Sequence, residues 1–119
     1  MGETGFPVGD ASGVPVVVAP EEVDITNADE LRAALRQAAT RGPGAFVVDL
    51  TSTTFCDSAG VHALVEAYKR ARAEGGQVLV AVSGRSVPRI LALTGVDRML
   101  PCFPSLAEAL ASVPAAEPR

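Results

Sequence analysis

The sequence has no tryptophan, one tyrosine and four phenylalanines, so aromatic residues make up only 4% of its 119 residues. A core with so few rings must rest on Val, Leu, Ile and Ala, within an apolar total of 48%. Charged residues are 20%, a balance that folds rather than stays disordered. Cysteine is scarce: Cys56 and Cys102, with the single histidine His62, are far from metal-ligand spacing and argue against a zinc site. The first residues, "MGETGFPVGD", lack the basic and apolar regions of a secretory leader, so both cysteines are expected reduced and the chain cytoplasmic. There is no basic cluster, and the net charge is −4, which argues against nucleic acid and anionic membrane as partners. Apolar runs reach only about six residues, far short of a bilayer span.

What is present is an alternation of strand and helix signals in a length suited to one domain. Glycines at 2, 5, 9 and 13, with Pro7 and Pro15, mark residues 1–13 as a loose arm with at most one short edge strand near Phe6–Val8. The domain is expected over 14–112, with a disordered tail at 113–119. "VPVVVA" (14–19), "AFVVDL" (45–50) and "QVLVAV" (77–82) read as strands, and 98–103 as a proline-broken edge strand. Ala28, Leu31, Ala34, Leu35 and Ala38 form a helical stripe that Thr26 or Asn27 can cap, Asn27 and Glu30 having capping-box spacing. A second helix follows Ser58 with Val61, Leu64, Val65, Tyr68 and Ala71 on one face, and Gly75-Gly76 ends it. Residues 86–96 predict a short helix capped by Ser86 and closed at Gly95. Ser105 and Glu108 open a last one with a capping box. The expected fold is therefore α/β, a single domain with a four- to five-stranded, mostly parallel or mixed sheet and about four helices.

In such sheets functional groups gather where strand ends meet helix starts. "FCDSAG" (55–60) occupies such a junction, and three roles compete for Ser58. As a cap, either Asp57 or Ser58 would accept free backbone amides, worth about 1 kcal/mol, though this does not readily explain both. As a nucleophile, Ser58 would need a base and an oxyanion hole. His62 lies one turn on, but no acid is placed to orient its ring and no "GxSxG" elbow is present. As a modified residue, Ser58 would hold a phosphate in the positive field of a helix start, beside Asp57 and close to Asp24. A dianion there would reverse the electrostatics of one surface patch and leave the fold intact. His62 itself is expected to point to solvent, and Asp49 to bond loop amides at its strand end.

"VVDLTSTTFCDSAGVHAL" (47–64) resembles the signature of the STAS domain, found in sulphate transporters and anti-sigma factor antagonists. "EEVDITNADELRAAL" (21–35) and "EGGQVLVAVSGRSVPRILALTGVDRML" (74–100) are similar to that family's flanking blocks, in order. The resemblance implies an STAS-like fold and a non-enzymatic anti-sigma factor antagonist that regulates transcription by partner switching in a bacterial cytoplasm. It implies that Ser58 is phosphorylated by an anti-sigma serine kinase of histidine-kinase-like ATPase fold, and that a PP2C-type phosphatase reverses this. ATP and magnesium would belong to the kinase, so the chain itself needs no cofactor. It implies that Asp24, Thr26, Asn27 and Asp57 lie beside the phosphoacceptor or at the kinase-binding surface, and the expected partner-binding surface adds Ser58, Ala59, Gly60, Val61 and His62. Three features depart from the family pattern: Ala59 in place of a second hydroxyl residue, His62 in place of a small or apolar one, and the proline-laden "VPVVVAP" start. Similar domains also serve in small-molecule (nucleotide or lipid) sensing and as transport-accessory modules, the alternative class. No phosphate-cradling "GxxxxGK" is present to favour nucleotide binding.

Overall fold

A computed structural model describes residues 6–41 and 44–114. Valine-rich segments without polar alternation suit strands buried on both faces, and three of them form the middle of the sheet. These are β2 (Val14–Val18), β4 (Ala45–Leu50) and β6 (Gln77–Val82), all parallel. β1 (Val8–Ala11) adds antiparallel to β2, and β7 (Cys102–Phe103) adds parallel to β6, giving the order β1-β2-β4-β6-β7. The two-residue strands β3 (Glu22–Val23) and β5 (Phe55–Cys56) pair separately and in parallel.

Alternation of side chains divides the central strands between two apolar layers. Val17, Phe46, Val48, Leu50, Val78 and Val80 face the core beneath α1 (Ala28–Arg41), α2 (Ser58–Glu74) and α3 (Ser86–Thr94). Val16, Val47, Leu79 and Ala81 point the other way, against the six-residue α4 (Leu106–Ala111). Each fully buried Val or Leu contributes about 1.5–3 kcal/mol of transfer free energy, so aliphatic side chains suffice where rings are scarce. The predicted stripe of α1 is buried along its whole length. Gly75 and Gly95 stop α2 and α3 in the left-handed conformation, at φ of 78° and 80°, and Ser105 Oγ accepts the Glu108 amide at the start of α4. No helix among the described residues is long and apolar enough to cross a membrane.

Four expectations are corrected. The arm expected to be loose over 1–13, with at most a short edge strand near Phe6–Val8, forms its edge strand at Val8–Ala11 and joins the fold from Phe6 onward (residues 1–5 lie outside the described set). Ser12 and Gly13 both take positive φ, 55° and 84°, and close a two-residue hairpin, with the Gly13 amide donating to Asp10 Oδ1 at 2.8 Å. Pro15 is tolerated because pairing of β2 with β4 begins only at Val16. Ser86 is the first residue of α3 rather than its cap; Arg85 holds the cap position and no side chain bonds there. That helix ends at Thr94, and a 3-10 turn at Val96–Arg98 shortens the following strand to Cys102–Phe103. Val113, placed in the expected tail, packs on the α4 layer; residues 115–119 lie outside the described set.

Phe6 is only 1% exposed and belongs to the larger core cluster. Phe6→Ala should therefore lower unfolding free energy by about 3–5 kcal/mol in a urea titration, whereas a side chain on a loose arm would leave the midpoint unchanged.

Candidate functional site

The site grows out of the small β3–β5 ribbon. Beyond β4, the buried Thr53 hydroxyl donates to the Pro20 carbonyl at 2.8 Å and the Thr54 amide donates to the Glu21 carbonyl at 2.8 Å. These bonds lay Phe55-Cys56 alongside Glu22-Val23, with Val23 opposite Cys56. The Asp57 amide then donates to the Val23 carbonyl at 3.1 Å, so Asp24 and Asp57 leave the ribbon side by side.

Asp57 is the N-cap of α2, with extended backbone at φ −94° and ψ −173°. Its Oδ1 accepts the amides of Ala59 at 2.9 Å and Gly60 at 3.3 Å. Of the two capping candidates, Asp57 performs the task, and Ser58 stands as the first helical residue with its side chain exposed. The seat of the helix is tight: a Cβ on Gly60 would lie 2.7 Å from both Cys56 Sγ and Val23 Cγ1. On the neighbouring strand, Asp24 Oδ1 accepts the Thr26 hydroxyl and, at 2.9 Å, the Thr26 amide. These bonds, the hydroxyl's first, hold the Asp24 carboxyl below its ordinary pKa. Asn27 ties the same turn down, its Oδ1 accepting the Asp24 amide and its Nδ2 donating to the Glu22 carbonyl, both at 2.9 Å. Asp49 bonds the Thr51 amide and hydroxyl at 2.9 and 2.7 Å, the structural role expected of it.

His62 lies one turn beyond Ser58 with its side chain 67% exposed and Nδ1 3.6 Å from Glu66 Oε2. Glu66 also accepts Arg32 Nε at 2.9 Å, and Arg32 reaches Asp29 at 2.9 Å, which links α2 to α1 by a chain of charges. Ser58, Ala59, Val61, His62 and Val65 form one wall of a shallow groove whose other wall is Ile25, Ala28, Asp29 and Arg32. Of the nine predicted site residues, Thr26, Ser58 and His62 are exposed, and Asp24, Asn27, Asp57 and Ala59 are half-buried. Gly60 and Val61 are buried, so Gly60 serves the seat of the helix rather than the surface. Two apolar residues that sequence reasoning did not assign flank this face: Ile25, 77% exposed, and Phe55, 50% exposed. The only sequence signal for Ile25 is an apolar residue set within a polar turn, and Phe55 belongs to the two-residue β5.

The nucleophile reading fares poorly on this geometry. An acid does stand near His62, contrary to expectation, but Glu66 is also bonded to Arg32, and no hydrogen bond joins Ser58 to His62 among the described residues. The amides of Ala59 and Gly60, at the start of α2, are already bonded to Asp57 and so are not free to hold an oxyanion. Cys56 is an inert filler: burial, and secondarily the Asp57 charge, push its thiol up to about 11.

An α/β domain with a mixed sheet and an exposed seryl hydroxyl at the mouth of a capped helix is the class that fold and site define. Residues 8–109 match the STAS domain family model, and the chain belongs to that family. It is similar to an anti-sigma factor antagonist from Mycobacterium paratuberculosis at 33% identity, with a TM-score of 0.82, covering 91% of this chain and 92% of that one. A Bacillus cell fate determinant, SpoIIAA in its phosphorylated form, aligns at 16% identity and TM-score 0.69 over 92% and 99% of the two chains. A sulfate transporter family protein from Wolinella succinogenes aligns at 22% identity and TM-score 0.70 over 87% and 86%. At these last two identities the likeness is one of fold.

Gly60→Ala should destabilise the protein by about 1–3 kcal/mol, because the added methyl must displace Cys56 and Val23 from a packed core. Thermal unfolding checks this, and an unchanged midpoint would mean that the helix start is loosely seated.

Proposed function

We propose that this chain is a non-enzymatic anti-sigma factor antagonist that binds an anti-sigma serine kinase and is switched off by phosphorylation of Ser58. The observation that carries the reading is the division of labour at the start of α2. Asp57 caps the helix through the Ala59 and Gly60 amides, so the Ser58 hydroxyl is exposed and has no capping duty. A kinase can modify it without unfolding its carrier.

The surroundings supply the logic of a switch. Asp57 precedes the hydroxyl and Asp24 leaves the adjoining strand, Ile25 lines the same groove as Ser58, and Phe55 is exposed on β5 two residues before Asp57. The unmodified face can dock through those apolar groups while its acids meet basic groups on the partner. Adding close to two negative charges beside two carboxylates raises the cost of bringing that face into a desolvated interface. Release follows from electrostatics alone, and removal of the phosphate by a PP2C-type phosphatase restores docking. Similarity to an anti-sigma factor antagonist at 33% identity supports the same reading.

Incubation with serine kinases of histidine-kinase-like ATPase fold from the same genome, with magnesium and ATP, should add one phosphate, placed at Ser58 by mass spectrometry. Ser58→Ala should remain bound to the kinase in the presence of ATP, and Ser58→Asp should bind more weakly by about 2 kcal/mol, or roughly thirtyfold. Modification at another residue, or none with any of these kinases, would sink the proposal.

A further inference from the structure

Below the Ser58 groove, α1 and α2 leave a second opening between them that the switch does not use. Arg32 and Glu66 line it and are joined by a 2.9 Å bridge. Positions 36 and 70 come four residues later on the two helices, one turn along each. There the pattern of the bridge fails, because both residues are arginine, and both line the opening. Arg36 makes no ion pair among the described residues, and Arg70 has only Glu74 of its own helix at 3.9 Å. Two guanidinium groups thus share one opening, and its only acid is already bonded to Arg32.

The floor is apolar. Phe46 from β4 lies beneath, and the facing helix surfaces carry alanines, among them Ala39 and Ala67, where larger side chains would close the gap. The lining positions run over 32–39 on α1 and 63–71 on α2, a length of about 10–12 Å at 1.5 Å per residue. A volume of about 200 Å³ is too small for a nucleotide or drug-sized molecule.

We propose that this opening is a binding site for a small anionic amphiphile, a medium-chain fatty carboxylate whose head group sits between Arg36 and Arg70 and whose tail lies over Phe46 and the alanines. The carboxylate would relieve the like-charge pair through charge-assisted hydrogen bonds, and the tail would remove apolar surface from water. The site is independent of any reading of Ser58.

Titrating the full chain with decanoate below its micelle concentration, followed by amide NMR, should give saturable shifts centred on Arg36, Ala39, Ala67 and Arg70. Acetate, which has the head without the tail, should bind at least about tenfold more weakly. Arg36→Glu restores the charge pattern of the bridge one turn above, so it should fold with an unreduced melting temperature and lose decanoate affinity by at least about tenfold. Ala67→Leu, which keeps both arginines and fills the floor, should weaken decanoate and spare acetate, and it decides the matter alone if Arg36→Glu does not fold. Shifts that never saturate or map elsewhere, equal affinity for acetate and decanoate, or wild-type decanoate affinity in the folded variants would overturn the proposal.

Discussion

One carboxylate governs the end of the molecule at which α2 begins. Asp57 gathers the amides of Ala59 and Gly60 and so fixes where α2 begins. Were the helix to start a residue later, Ser58 would become the cap and its oxygen would turn inward to the backbone. Were it to start a residue earlier, Ser58 would rotate by about 100° around the helix axis, away from the face it now shares with His62 and Ile25. The cap therefore sets exposure, orientation and neighbours of the hydroxyl together, through bonds that contribute only about 1 kcal/mol to stability.

Such a modest interaction can hold this position because the surrounding fold leaves few alternatives. The β3–β5 ribbon delivers Cys56 and Val23 to the underside of the helix, where only glycine fits. The ribbon is in turn anchored by Thr53 and Thr54, whose bonds to Pro20 and Glu21 tie the two crossover loops together. The five-stranded sheet supplies rigidity at a distance, and the ribbon converts it into placement. The two acids come to lie together for the same reason: each occupies the first position after its strand in a register set by Val23 and Cys56.

Much of this was legible in the residues. Uninterrupted aliphatic runs identified the buried strands, the alanine-leucine stripe identified α1, and glycines at 75 and 95 marked helix ends that the left-handed backbone requires. Placement of Ser58 at a helix start followed from the change of period after Cys56. The hairpin was not legible, because glycines and prolines were read as breakers. Here Ser12-Gly13 forms the turn itself, and Pro15 falls before the first residue paired with β4. Two-residue strands such as β3 and β5 are too short to carry a period and exist only through tertiary contacts. Ile25 and Phe55 escape such a reading because apolar residues are assigned to the core by default, and nothing local says that a turn holds Ile25 outside or that β5 leaves Phe55 exposed. The cross-helix relation of Arg36 and Arg70 depends on how two helices pack, which no single segment encodes.

The occupied helix amides have a further consequence for chemistry at Ser58. In many anion sites the free N–H groups of a helix start strip water from the bound group and grip it. Here Asp57 already takes the Ala59 and Gly60 amides, so an incoming anion would find fewer free donors and keep more of its hydration shell. A mark written at that hydroxyl would stay wet, weakly held and open to solvent from the outside.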